Sequence, residues 1–221
     1  MLYRAALFDF DGTLVPSLPI WLKSYQAAMH RFECMLSEEE VIKHCFYRDW
    51  DVIAEQFSIE DADALRHHVE TGVRDSLGSS ELFPVALPLI RRCRELGMQT
   101  ALVTTTTRYI LEHALPGLLL HDQFDFVICA DDVENIKPHP EPILKTLHAL
   151  GRNASEAIMI GDSTADIRAG KAAGTATALF LPDDHARYYS FETLRATQPD
   201  HIFSDHRELP NILGVQLADA G

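Results

Sequence analysis

The run Ala5-Ala6-Leu7-Phe8 is apolar at every position, and it ends on Asp9-Phe10-Asp11-Gly12-Thr13-Leu14. A segment without polar alternation hides both of its faces, so it predicts a strand inside a sheet that is covered on both sides. Carboxylates cannot enter such a core unpartnered. The strand must therefore deliver them to the sheet edge, where the chain turns. If extended geometry persists, side chains two apart leave on the same side, which would place Asp9 and Asp11 together. Two anions that close need a cation or a shared proton.

The rest of the chain has two characters. From Pro16 to Phe83 the spacing is helical throughout. Ile20, Trp21, Tyr25, Ala28, Met29 and Phe32 recur at helical intervals, and Ser37-Glu38-Glu39-Glu40 reads as a capped helix start leading into Val41, Ile42 and Cys45. Further helices are predicted over 51–57 and from Ser58 or Glu60 to Asp75. After Phe83-Pro84, strands alternate with helices. The strands are Gln99 to Val103, Phe124 to Cys129, Ala157 to Ile160, Thr177 to Leu181 and His201 to Phe203. The helices run from Val85 to Leu96, Arg108 to Leu115, Glu141 to Leu150, Ala165 to Ala173 and His185 to Arg195, with a last one from Arg207. This alternation predicts an α/β fold: a doubly wound, Rossmann-like parallel sheet over residues 1–15 and 84–221, with a small all-helical domain inserted at 16–83.

A net charge of −14 repels phosphate backbones, and no Lys/Arg cluster offsets it, so nucleic acid is an unfavourable partner. No stretch approaches the roughly 20 apolar residues of a membrane span. Cys34, Cys45, Cys93 and Cys129 lack the spacing of a metal-thiolate site and read as core residues of a reducing compartment. The expectation is a cytoplasmic protein.

Three strand ends carry chemistry, and ligands bind at the carboxyl ends of strands in such sheets. The first holds Asp9 and Asp11, where one carboxylate can act as a nucleophile and the other as an acid and base. The second leads into Thr104-Thr105-Thr106-Thr107, which offers a hydroxyl and backbone N–H groups ahead of a helix, a cradle for an anion. The third leads into Gly161-Asp162-Ser163-Thr164-Ala165-Asp166, whose acids lie one helical turn apart. Several carboxylates at one edge make a hard-oxygen site suited to Mg²⁺. Lys137, in the proline-rich turn Ile136-Lys137-Pro138-His139-Pro140, can neutralise a transferring phosphoryl group. Together these parts form a phosphoryl-transfer kit.

In this order the four segments resemble the signatures of the haloacid dehalogenase-like superfamily of phosphohydrolases. Lys137-Pro138-His139-Pro140-Glu141-Pro142-Ile143 and Ala169-Gly170-Lys171-Ala172-Ala173-Gly174 are similar to its phosphoglycolate phosphatase and pyrophosphatase branch. The resemblance implies that Asp9 forms an aspartyl-phosphate and that Asp11 is the acid/base. It implies Mg²⁺ held by the Asp9 side chain, the Asp11 backbone carbonyl and Asp162, with Asp166 supporting the metal shell. Thr104, Thr105 and Lys137 would bind the phosphoryl group. The insertion would be a cap that selects a small phosphorylated metabolite, with Arg48 at its remote end, in a monomer or homodimer. Three positions depart from the pattern: Pro16-Ser17 after the first signature, Thr105 in the second, and Val85 where glycine usually follows Phe-Pro. A β-phosphoglucomutase-like sugar phosphomutase and a non-catalytic binding protein on the same scaffold are the alternative readings.

Overall fold

The computed structural model describes residues 2–217. Strand β1 (Ala5–Phe8) is followed by four helices, α1 (Leu18–Arg31), α2 (Glu38–His44), α3 (Trp50–Gln56) and α4 (Ala62–Leu77). The alternating part then runs α5 (Ala86–Glu95), β2 (Gln99–Val103), α6 (Arg108–Gly117), β3 (Phe126–Ile128), α7 (Glu141–Leu150), β4 (Ala157–Gly161), α8 (Thr164–Ala173), β5 (Ala176–Phe180), α9 (Phe191–Arg195), β6 (His201–Phe203) and α10 (Leu209–Leu213). The six strands form one parallel sheet in the order β3-β2-β1-β4-β5-β6.

Alternation along the strands decides which layer each side chain joins. Ala6 and Phe8 share a core with Leu102, Ile158 and Ile160 and with residues of α5, α6 and α10. Ala5 and Leu7 point the other way, into a core with Ala101, Val103 and Met159 that α7 and α8 complete through Ile143, Leu147, Ala169 and Ala173. Both faces of β1 are thus covered, as its unbroken apolar run requires.

The expected helix His185 to Arg195 is two elements. A 3₁₀ turn spans Asp183–Arg187, and α9 starts afresh because Ser190 Oγ accepts the Thr193 N–H. The backbone N–H groups of Tyr188 and Tyr189 close the first turn on the His185 carbonyl. The last helix likewise begins at Leu209, after a 3₁₀ turn over His206–Glu208. Val85, ahead of α5, holds φ 72°, a left-handed conformation that a β-branched residue rarely takes. Among the described residues no helix is long and apolar enough to cross a membrane. The four cysteines are unpaired.

Candidate active site

The strand order reverses direction at β1. The chain leaves β1 towards β2 and β3, then crosses over to β4 on its other side. A crevice opens at the carboxyl ends where such a reversal occurs. In register, Phe8 lies beside Leu102 and Ile160, so Asp9 emerges between Thr104 of the β2 loop and Asp162 of the β4 loop.

Lys137 reaches this edge from the turn after β3. Its ammonium donates to Asp9 Oδ1 at 2.6 Å, Asp166 Oδ1 at 2.6 Å and the Val103 carbonyl at 2.7 Å. All three of its protons are used. Asp166 is fully engaged as well, because its Oδ2 accepts the Ser163 N–H and hydroxyl in a capping box at the start of α8. Asp9 keeps a free acceptor: its Oδ2 makes no hydrogen bond among the described residues, and the side chain lines the cavity described below.

Asp162 completes the cluster. Its Oδ1 accepts the Thr13 hydroxyl at 3.3 Å, and its Oδ2 accepts the Tyr189 hydroxyl at 2.8 Å. Gly12 holds φ 73°, and a Cβ there would collide with the Asp162 carboxylate, so the turn after β1 can pack on β4 only as glycine. Buried His206 buttresses this turn by donating Nε2–H to the Thr13 carbonyl at 2.7 Å.

Asp11 does not stand with Asp9. The strand ends at Phe8, and the amides of Thr13, Leu14 and Val15 fold back on the Phe10 carbonyl. This turns the second carboxylate away from Lys137. Its Oδ1 accepts the Trp21 indole N–H at 2.7 Å, and its Oδ2 accepts the Thr106 hydroxyl. In the threonine run, Thr104 is buried and its hydroxyl accepts the Thr106 N–H. Asp131 takes the Arg108 N–H. The Thr105 N–H has no partner among the described residues, and Thr105 lines the cavity.

That cavity, of about 510 Å³, lies between the sheet edge and the inserted helices. Asp9, Asp11, Lys137 and Asp162 form one side. Trp21, Tyr25, Phe46, Tyr47 and Trp50 form an aromatic wall opposite, with Arg48 and Arg168 at it. Tyr25 stacks on Trp50, and the Tyr47 hydroxyl meets that of Tyr189. The sequence reading missed Trp21, Thr106, Tyr189 and Arg168 as site residues. Trp21 was legible only as one of several apolar positions on a helix, Arg168 only as a charge on α8, and Thr106 and Tyr189 reach the site through loops whose course periodicity does not describe.

The electrostatics call for a cation. Oxygens of Asp9, Asp162 and Asp166 lie within 4.8 Å of one another, all buried, against one lysine. Burial first, then Asp166, raises the Asp9 carboxyl to about 7 against the pull of Lys137. Burial, then Asp9 and Asp166, raises Asp162 well above the usual range. Burial lowers the Lys137 ammonium, but Asp166 and Asp9 outweigh it and hold it charged. An all-oxygen, over-negative set of this kind could hold a divalent cation.

The chain's likeness to known proteins follows the same lines. It is 30% identical over 224 residues to the pyrophosphatase PpaX of Halalkalibacterium halodurans, covering 96% of this chain and 98% of that one. PpaX of Bacillus cereus is also 30% identical, over 216 residues, covering 96% of this chain and 97% of that one. Among solved structures, a predicted phosphoglycolate phosphatase from Haemophilus somnus superimposes with a TM-score of 0.82 at 23% identity, over 96% of this chain and 99% of that one. CbbY from Rhodobacter sphaeroides, solved with xylulose-(1,5)bisphosphate, superimposes with a TM-score of 0.79 at 19% identity, over 94% and 96%. The sequence pattern of the haloacid dehalogenase-like hydrolases matches residues 6–180, the span from β1 to the end of β5, and the chain belongs to that family.

Proposed function

We propose that this hydrolase is a Mg²⁺-dependent phosphatase of small phosphorylated metabolites, with phosphoglycolate and inorganic pyrophosphate as the first candidates. The observation that carries the reading is Asp9: one oxygen is pinned by Lys137, and the other is free at the cavity. Asp9 Oδ2 attacks phosphorus, the P–O bond to the leaving group breaks, and the leaving oxygen takes a proton from Asp11. Water then attacks the aspartyl-phosphate and returns a proton to Asp11. Phosphate leaves, and the Asp9 carboxylate is restored. Lys137 and the Thr105 N–H neutralise the phosphoryl oxygens, Thr104 shapes the loop that presents that N–H, and Asp166 keeps Lys137 in place.

Asp9, Asp162 and the Asp11 main-chain carbonyl would hold Mg²⁺, with Asp166 behind them. When bound, the ion would screen phosphate charge from the attacking carboxylate. Residues 16–83 serve as a cap over the core of 1–15 and 84–221. Arg48 and Arg168 make no ion pair among the described residues, which supports a substrate with an anionic remote end. The free cysteines support a cytoplasmic setting.

The test is a phosphate-release screen of purified protein with Mg²⁺ over phosphoglycolate, pyrophosphate and a panel of sugar phosphates. Release from none of them removes the reading. Exchange of phosphate between sugar positions without release would instead favour the phosphomutase.

The metal reading has its own consequence for stability. A carboxyl that binds its proton more tightly when folded favours the fold at low pH. That contribution is complete below the unfolded pKa of about 4 and is lost as pH rises through the folded value of about 7. Buried His185 and His206, both held down to about 4 by burial, act in the opposite sense and favour the fold as pH rises, so the Mg²⁺-induced shift at pH 7.5 and at pH 5, rather than the metal-free melting temperature, isolates the cluster. Mg²⁺ at about 100 times its Kd should restore about 2.7 kcal/mol at pH 7.5, a rise of about 5–11 °C, and less at pH 5, where protons compete. Scanning fluorimetry at both pH values measures this, and a melting temperature indifferent to Mg²⁺ at each would exclude the metal site.

A further inference from the structure

We infer that Trp21 is a positioning residue for Asp11, setting the orientation of the proton-transfer group from the inserted helices rather than from the sheet. The inference rests on the reading of Asp11 as acid and base. Asp11 leaves the sheet on a tight turn, one residue before Gly12 at φ 73°. Its side chain is held by two donors from separate parts of the molecule. The Trp21 indole, on α1, donates to Oδ1 at 2.7 Å, and the Thr106 hydroxyl, in the loop after β2, donates to Oδ2.

The two bonds together define the plane of the carboxylate, since rotation about its side chain breaks both. The indole N–H is a donor only, so it cannot reverse the bond or deprotonate the acid itself. The ring is also not free to follow Asp11 elsewhere. It packs against Tyr25 at 6.1 Å, and Tyr25 stacks on Trp50 at 5.6 Å, within the aromatic wall of the cavity. A proton donor must point at the leaving oxygen within hydrogen-bond reach, and small misplacements cost rate steeply. The same indole that lines the substrate cavity thus sets the aim of the acid.

The experiment compares two ring-bearing esters, benzyl phosphate and p-nitrophenyl phosphate. The first expels an alkoxide and needs the acid, whereas the second expels a stable phenolate and needs it little. The quantity read is kcat/KM with Mg²⁺. Asp11→Asn should lose about 10²–10⁴-fold on benzyl phosphate and far less on p-nitrophenyl phosphate. Trp21→Phe keeps a ring in the wall but removes the N–H. It should lose about 10–100-fold on benzyl phosphate, the scale of a hydrogen bond to a charged group, with a loss about tenfold smaller on p-nitrophenyl phosphate. Trp21→His, which restores a ring N–H, should recover part of the benzyl phosphate rate.

Equal losses of Trp21→Phe on the two esters would mark a merely structural role and overturn the inference, as would no loss on either. The underlying reading fails separately. An Asp11→Asn variant without leaving-group bias removes the acid, and a wild-type protein that hydrolyses neither ester removes the phosphatase reading for this ester class.

Discussion

Asp9→Asn should lower kcat/KM for phosphate release by about 10⁴-fold or more while leaving the protein folded. An amide of the same shape fills the same space but cannot attack phosphorus. The change also removes one of three buried carboxylates that repel one another, so the metal-free variant should melt no more than a few degrees below wild type. Lys137 keeps Asp166 and the Val103 carbonyl as acceptors. The measurements are single-turnover phosphate release and a thermal melt. A variant that keeps more than about one part in a hundred of the rate would show that another group is the nucleophile.

Lys137→Met should have the largest effect on stability. The thioether fits the length of the lysine stem, but the cation that balances the carboxylate cluster among the described residues is gone. Asp9 and Asp166 are then buried with nothing to balance them, a loss of about 3–5 kcal/mol. In a chain of this size that lowers the melting temperature by about 6–20 °C. Adding Asp166→Asn should cost less than the sum of the two single changes, because the second change removes a charge the first left unpaired. Urea denaturation of the four proteins closes this double-mutant cycle. Additive losses would mean that Lys137 and Asp166 do not act as a pair, and a shift below about 2 °C would mean that the lysine is not what balances the cluster.

The sheet was legible because its strands are buried on both faces and carry unbroken apolar runs, as in Ala5–Phe8 and Ala157–Gly161. The acids at their ends stand out against those runs, and the structure brings Asp9, Lys137, Asp162 and Asp166 together. The pairing of Asp9 with Asp11 was not legible in the same way. It assumed that the strand continued past Phe8, whereas the chain turns at once and the two carboxylates take separate partners. Tyr189 and Thr106 were invisible for a related reason. Tyr189 bonds an acid 27 residues away and Thr106 one 95 residues away, and neither separation leaves a local pattern. The single helix expected over 185–195 failed where Ser190 opens a new one, a cap that follows the weak helix formers Tyr188 and Tyr189.

The aromatic wall has one more consequence. The chain has two tryptophans, and both Trp21 and Trp50 stand in that wall. Emission excited selectively at the red edge of the ultraviolet band, where tryptophan absorbs and the six tyrosines do not, therefore comes from the wall of this cavity. Any ligand that displaces water from the wall, or draws Asp11 away from the Trp21 indole, should register as a change in intensity or wavelength. Titrations of unlabelled protein with phosphate, pyrophosphate or phosphoglycolate can thus be read directly, including for variants too slow to assay by turnover.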